Sequence, residues 1–336
     1  MRVPDTLEEA TSPAWLAEVL GVEVAAVRVG AVDQRVSTNA PIAVDGADGS
    51  HRDLWIKGYF GDIGRLARPA GISEVLFYRD LVGSVDIRTL RAVHADADLD
   101  SLASVIITED ELGRGARFLD ALCDYSADQA AESLDQLAAL HAATWMSPAA
   151  LVPWLDPRFA SYTTARGVAE IVSNFEGPIG AGVPVEVRDA QGLYGTYLRV
   201  GAEARAASPS CVIHGDPHIG NVYLDGDGRP SFLDWQLVQR GPWYIDVGYH
   251  IAAALPVAER RRTERDLLAH YLDRLRARDI EPPAGASVER GIRLGILHGF
   301  YLWGITQMVH PSVTRAMLER MGTAAADHDA FSSVQV

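Results

Sequence analysis

The residues best able to do chemistry concentrate between Val212 and Gln236, a stretch that reads VIHGDPHIGNVYLDGDGRPSFLDWQ. An apolar run, Cys211-Val212-Ile213, leads into His214-Gly215-Asp216. Asn221 follows five residues after Asp216, and a hairpin returns through Pro230-Ser231-Phe232-Leu233 to Asp234. Two carboxylates and one carboxamide therefore leave strand ends on the same side of a short β-ribbon. That set suits one base and a divalent-cation site beside a phosphate. Phosphoryl transfer asks a protein for positioning and charge neutralisation rather than covalent help. Asp216 would accept the proton of an acceptor hydroxyl. Asn221 and Asp234 would hold one or two Mg²⁺ ions, hard cations that take oxygen ligands. Asn is scarce, at positions 39, 174 and 221 only, so its place after Asp216 is informative. His214 is expected to prop the loop by hydrogen bonding, and His218, within the loop, to orient it.

Such a loop needs a partner that meets phosphate charge. Of the 30 basic residues only Lys57 is lysine, the rest being arginine. A lysine ammonium is a compact point charge where arginine is a wide planar fork. Lys57 lies in Asp53-Leu54-Trp55-Ile56-Lys57-Gly58-Tyr59-Phe60, which reads as a strand with Leu54, Ile56 and Gly58 on one face and Lys57 on the other. Glu74 sits in Ser73–Leu81, read as a helix with Glu74 in its first turn. It is open to two explanations there, an ion pair with Lys57 or a complement to the helix dipole. A β-branched run, Ala103–Thr108, then ends in Glu109-Asp110-Glu111-Leu112-Gly113.

HGD-x-x-x-x-N followed by a hydrophobic-Asp-Trp motif resembles the aminoglycoside phosphotransferase and choline-kinase-like superfamily. Asp234-Trp235-Gln236-Leu237 with Gly241-Pro242 and Asp246 is most similar to its ecdysteroid-kinase-like branch and related bacterial proteins. The resemblance implies an α+β, bilobal, protein-kinase-like fold. It implies a small β-rich N-lobe over residues 1–110 and a larger, mainly helical C-lobe over 111–336, with an acceptor-side insertion at about 146–209. It implies ATP and Mg²⁺ as cofactors, Lys57 on the α- and β-phosphates, and Glu74 holding Lys57. The hinge is expected at Glu109–Glu111, where backbone groups rather than side chains bond adenine. Asp246 is expected to brace the catalytic loop. The sequence departs from the protein-kinase pattern at Gly215, which replaces an arginine, and at Trp235-Gln236, which replaces Phe-Gly. The phosphate loop, Gly30-Ala31-Val32-Asp33-Gln34, carries a single glycine.

The rest of the chain bounds the reading. It has 336 residues, 48% hydrophobic and 22% charged, enough for one two-lobed unit with a sizeable core. A net charge of −15 argues against a nucleic-acid partner. It agrees with a neutral or cationic substrate, or simply with solubility. Two cysteines provide no disulfide framework or zinc spacing, and with no signal peptide in the first residues the expected setting is the cytoplasm. Leu294–Val309 reads as a buried helix rather than a membrane span. Ser12-Pro13 starts a helix that Gly21 stops, and Ser126 with Gln129 forms a capping box. The closing helices are expected at Glu259–Arg278 and Val288–His310, with Pro311 as a stop, Arg260-Arg261-Arg262 on a solvated face, and fraying from about Thr323. These parts predict an ATP- and Mg²⁺-dependent kinase of a small-molecule hydroxyl, an antibiotic or other secondary metabolite or alcohol, acting as monomer or homodimer. The alternative is a non-catalytic nucleotide-binding module. A protein kinase ranks last, because only Trp235–Tyr244 separates the metal Asp from the next motif.

Overall fold

The computed structural model describes residues 2–146, 154–159, 163 and 166–334, so part of the expected acceptor-side segment 146–209 lies outside the described residues. Near the N-terminus lie α1 (Leu7–Ala10) and α2 (Pro13–Leu20). Ser12 caps α2 by accepting from Trp15 N, Pro13 takes the first helical position, and Gly21 closes it at φ 68°. Strands β1 (Val24–Val29), β2 (Asp33–Gln34), β3 (Thr38–Gly46), β4 (His51–Gly58), β5 (Ala92–Ala97) and β6 (Ser104–Glu109) form one antiparallel sheet. Its order is β1-β3-β4-β6-β5, with β2 on β3. Burial alternates along β3, and in β4 Leu54, Ile56 and Gly58 are buried while Lys57 is half-buried on the other face. The buried face packs on Leu16 of α2, and Ile42, Leu54, Ile56, Val105 and Ile107 join it in a small core.

Helix α3 (Gly61–Leu76) corrects the reading of Glu74. It begins far upstream of Ser73, so Glu74 occupies its last turn rather than its first. The dipole disfavours a carboxylate there, which removes that explanation for the residue. Gly61, Gly64, Pro69 and Gly71 hid the helix, since each is a poor helix former. At Phe77–Leu81 the backbone widens into a π-helical turn. Its apolar side chains, with Val75, join the larger of the two cores.

That larger core is built from α4 (Ala127–Ala143), α5 (Gly167–Glu176), α6 (Ala190–Ala206), α7 (Tyr244–Ala254), α8 (Val257–Arg276), α9 (Ala286–Gly304) and α10 (Pro311–Asp327). The capping box at the start of α4 forms in both directions between Ser126 and Gln129. Helices α7 and α9 touch backbone to backbone. A Cβ on Gly248 would lie 2.4 Å from Ile292 O, and one on Gly295 2.3 Å from Tyr244 O. The short strands β8 (Cys211–Ile213) and β11 (Gln239–Gly241) pair with each other, and β9 (Val222–Leu224) pairs with β10 (Pro230–Phe232) and β7 (Arg117–Phe118). All these pairs are antiparallel.

The C-terminus differs from expectation in three ways. Helix α9 ends at Gly304, and Pro311 starts α10, with the His310 side chain accepting from Ser312 N at its head. Proline stops a helix only from its interior; at the first helical position its missing N–H costs nothing. The tail is packed rather than frayed, with Ala324, Ala325, Ala330 and Val334 buried. Arg260 is buried, not solvated, and meets Glu264 at 2.6 Å and Asp327. No helix among the described residues is long and apolar enough to cross a membrane.

Candidate active site

Strand β8 ends in the segment that carries Asp216, and several buried groups fix its backbone. Gly215 adopts φ +83°, and a Cβ there would lie 2.4 Å from Leu237 O. Only glycine fits, which accounts for the missing arginine. Asp246, fully buried on α7, accepts His214 N at 2.7 Å and Gly215 N at 2.9 Å. His141 lies 3.2 Å from the same carboxylate and bonds Tyr271 through its other nitrogen. Burial pushes the Asp246 carboxyl up, but the His141 bond and nearby histidines outweigh it and hold the group below the usual range.

Three more imidazoles hold the loop's neighbours. His214 Nε2 meets Leu233 O at 3.0 Å, His250 Nδ1 meets Pro217 O at 2.7 Å, and His298 Nε2 meets Gly215 O at 2.8 Å. Burial lowers the pKa of all three, His250 to about 4. Neutral rings can then donate to carbonyls without bringing a charge into the core.

Asp216 is held at both oxygens. Tyr249 donates to Oδ1 at 2.9 Å, and Asn221 Nδ2 donates to Oδ2 at 3.2 Å and to the Asp216 carbonyl at 2.8 Å. His218 Nε2 stands 3.6 Å from Oδ2, while its Nδ1 accepts from Gly220 N. Burial raises the Asp216 carboxyl, but His218 facing it and the Tyr249 hydroxyl bonded to it more than reverse that, so the group is ionised at neutral pH. Tyr249 was not singled out from the sequence. Its signal is spacing, for Asp246, Tyr249 and His250 stand at i, i+3 and i+4 of one helix face.

Asp234 leaves β10 in the left-handed region, φ 64° and ψ 66°. That conformation costs a residue with a side chain about 1–2 kcal/mol and persists only where its surroundings enforce it. The enforcement is visible on both sides. Leu233 N donates to Asn221 O at 3.0 Å, tying Asp234 to the Asp216–Asn221 loop. Trp235 stacks on Phe77 at 3.8 Å between ring centres and donates to Thr89 at 2.9 Å.

Lys57 closes the arrangement from the sheet. Its Nζ lies 2.7 Å from Asp234 Oδ1 and 2.7 Å from Glu74 Oε2. The first contact is a hydrogen bond; the second is an ion pair whose angle falls outside one. Burial would push the ammonium down, but Asp234 and Glu74 hold it well above its ordinary value. Glu74, buried beside a second carboxylate, is raised, with Lys57 pulling the other way. The other two residues assigned to the nucleotide point elsewhere. The Glu109 carboxylate pairs with Arg52 at 2.8 Å, and that of Glu111, buried, takes both forks of Arg91 at 2.8 and 2.9 Å. The sheet uses Glu109 N and Asp110 N, on Arg91 O and Asp53 O, leaving Glu111 N without a hydrogen bond among the described residues.

Three solved structures share this architecture across nearly their whole length. A protein of Ralstonia eutropha JMP134, provisionally assigned as an aminoglycoside phosphotransferase, matches with a TM-score of 0.55 and 14% identity over 97% of this chain and 99% of its own. Spectinomycin phosphotransferase, solved with ADP and spectinomycin, matches at 0.51 and 12% over 94% and 97%. A Thermobifida fusca protein provisionally assigned as a fructosamine-3-kinase matches at 0.50 and 19% over 94% and 99%. Identities this low establish the fold alone, a bilobal α+β arrangement of the protein-kinase-like kind. Comparison with curated protein sequences finds no match. The family follows from the sequence itself: the chain belongs to the phosphotransferase enzyme family, whose model matches residues 85–281.

Proposed function

We propose that the protein transfers the γ-phosphate of ATP, with Mg²⁺, to a hydroxyl of a small molecule, with Asp216 as the base. The observation that carries this is the meeting of Lys57, Glu74 and Asp234 within 2.7 Å contacts, beside an Asp216 whose two oxygens are already oriented. In this reading the lobes divide near residue 110, and Glu111 N is the hinge donor to adenine. Lys57, kept charged by its two carboxylates, meets the phosphates. Asp216, a weak base, serves chiefly to orient the hydroxyl and receive its proton late, which suits a loose phosphoryl-transfer transition state. His214, His250 and His298 keep the loop carbonyls in place.

The residues present fit Mg²⁺. Among the described residues no group of three or more His, Cys, Asp and Glu could hold a metal, so a closed all-protein cage is absent there. Mg²⁺ is usually held by one or two protein oxygens with substrate phosphates and water completing the shell. Asp234 and the side-chain amide oxygen of Asn221 would supply that pair, and the strained Asp234 backbone fits a side chain aimed for a ligand. Bound there, the ion would neutralise phosphate charge.

The acceptor class includes antibiotic-like secondary metabolites and other alcohols, and the setting is the cytoplasm. Incubation with ATP, Mg²⁺ and a panel of aminoglycosides, spectinomycin, sugars, nucleosides and sterols, followed by mass spectrometry, tests the proposal. One acceptor gaining a phosphate, with the gain lost in Asp216→Asn, is the expected result. ATP binding without turnover of any acceptor would favour a non-catalytic module, and undiminished transfer by Asp216→Asn would remove Asp216 from its role.

A further inference from the structure

A cavity of about 730 Å³ borders the site just described, sharing Glu111 with it, while none of Lys57, Asp216, Asn221 and Asp234 lines it. It is bounded by the segment from Val82 to Ala92, by Glu111 and Arg114 beyond β6, and by the turn of the β9–β10 hairpin. Its volume is that of a small-molecule site. Four arginines, Arg88, Arg91, Arg114 and Arg229, share its wall with three carboxylates, Glu111, Asp225 and Asp227. Four positive charges against three negative leave the wall at +1 on a chain whose net charge is −15.

The carboxylates are already engaged. Both Glu111 oxygens take Arg91, and Asp225 takes the backbone N–H of Asp227 and Arg229 together with Arg229 Nε. Arg91 spends Nε and Nη2 on Glu111, and Arg229 spends Nε on Asp225 and Nη2 on Asp227, which leaves Nη1 of each without a hydrogen bond among the described residues. The Arg114 guanidinium makes no hydrogen bond among the described residues, its nearest carboxylate oxygen being Glu111 Oε2 at 3.9 Å. Arg91, Arg114 and Arg229 are each about half exposed. Guanidinium forks match carboxylate and phosphate oxygens in pairs, so the chemistry missing from this wall is an oxyanion.

We infer that the cavity binds a compact polyanion, bearing carboxylate or phosphate groups, on Arg91, Arg114 and Arg229. The wall touches the catalytic machinery at two points. Arg91 holds Glu111 in the hinge, and Thr89, also in the wall, accepts the indole N–H of Trp235, the neighbour of Asp234. An anion drawing on Arg91 therefore alters nucleotide affinity; that consequence rests on the proposed function, whereas the binding does not.

Isothermal titration of the full chain with citrate, and separately with inorganic phosphate, tests the site. Either anion binding the parent supports it, and the one that binds names the chemistry. Arg114→Ala, which removes no hydrogen bond among the described residues and only the 3.9 Å contact with Glu111, should weaken binding about tenfold or more, the loss expected for one charged hydrogen-bonding partner. Lys57→Met should bind as the parent does. The inference is overturned if neither anion binds, if Arg114→Ala binds unchanged, or if Lys57→Met abolishes binding and so places the anion in the phosphate cleft. With an acceptor in hand, a nucleotide KM unmoved by saturating anion would remove the coupling alone.

Discussion

Replacing Tyr249 with phenylalanine removes one hydroxyl and leaves the ring in its place among His298 and His218. The hydroxyl donates to Asp216 Oδ1 at 2.9 Å in a buried setting. A hydrogen bond to a charged group is worth about 1.5–3 kcal/mol. If that energy holds the carboxylate in its working orientation, kcat falls about 10- to 100-fold, at about 1.4 kcal/mol per decade, with the nucleotide KM unchanged. The sign on pH follows from Asp216 being depressed in the fold, with burial pushing the other way and His218 the first of the groups that overcome it. Its contribution to stability is present above the ordinary carboxylate range and is lost as pH falls through the folded-state value. Tyr249→Phe raises that folded-state value and so lowers stability at neutral pH, while Asp216 stays ionised there. The rate loss should therefore be constant across neutral and mildly alkaline pH. Steady-state kinetics at several pH values, with urea unfolding beside them, give the answer. A loss that disappears as pH rises would mean the hydroxyl controls ionisation rather than orientation, and an unchanged kcat would refute both.

Asp216→Asn should lower kcat by about 10²–10⁴ and also lower the urea midpoint at neutral pH, because the stability contributed by the depressed carboxylate is lost with it; a smaller rate loss would put the base elsewhere. Glu74→Gln should raise the nucleotide KM about tenfold, because Lys57 loses one of the two charges that hold it; an unchanged KM would show that Asp234 alone suffices. Removing divalent ions with EDTA should abolish transfer and added Mg²⁺ restore it, whereas turnover persisting in EDTA would exclude Asn221 and Asp234 as an ion site. Truncation after Gly322 strips buried Ala324, Ala325, Ala330 and Val334 from the core and should cost about 3 kcal/mol or more in urea unfolding; a midpoint like the parent's would contradict the packing described.

The sequence exposed those parts of the molecule whose residue types are constrained by chemistry. A lone lysine on an alternating strand, an aspartate with an asparagine five residues on, and a reciprocal capping box each need specific side chains at fixed spacing, and each lies where the spacing put it. What stayed hidden was decided by tertiary packing. Helix α3 forms despite three glycines and Pro69 because its C-terminal end is anchored in the larger core. Pro311 reads equally as a stop and as a start, and only the structure of α10 chooses. Arg260 looked solvated because its partner Asp327 is 67 residues away. Tyr249 likewise reaches Asp216 across 33 residues, so its spacing with Asp246 and His250 marks a shared helix face but not the partner it meets.

The stack of Trp235 on Phe77 ties the end of the helix that bears Glu74 to the segment that bears Asp234. Phe77, Tyr78 and Val75, at the end of the helix that bears Glu74, belong to the larger core, whereas Leu54 and Ile56, flanking Lys57 in β4, belong to the small one. Helix α3 shares the larger core with the catalytic loop and with Ile106 of β6, whereas the residues flanking Lys57 in β4 pack in the small one, so the Lys57–Glu74 contact joins the two cores. A tilt of the sheet away from α3 would draw the half-buried Lys57 ammonium from Glu74 and Asp234 together. The pair that aims the lysine thus also ties the two cores together, and with Glu74 buried and Lys57 half-buried, salt in the surrounding solution screens it less than an exposed pair.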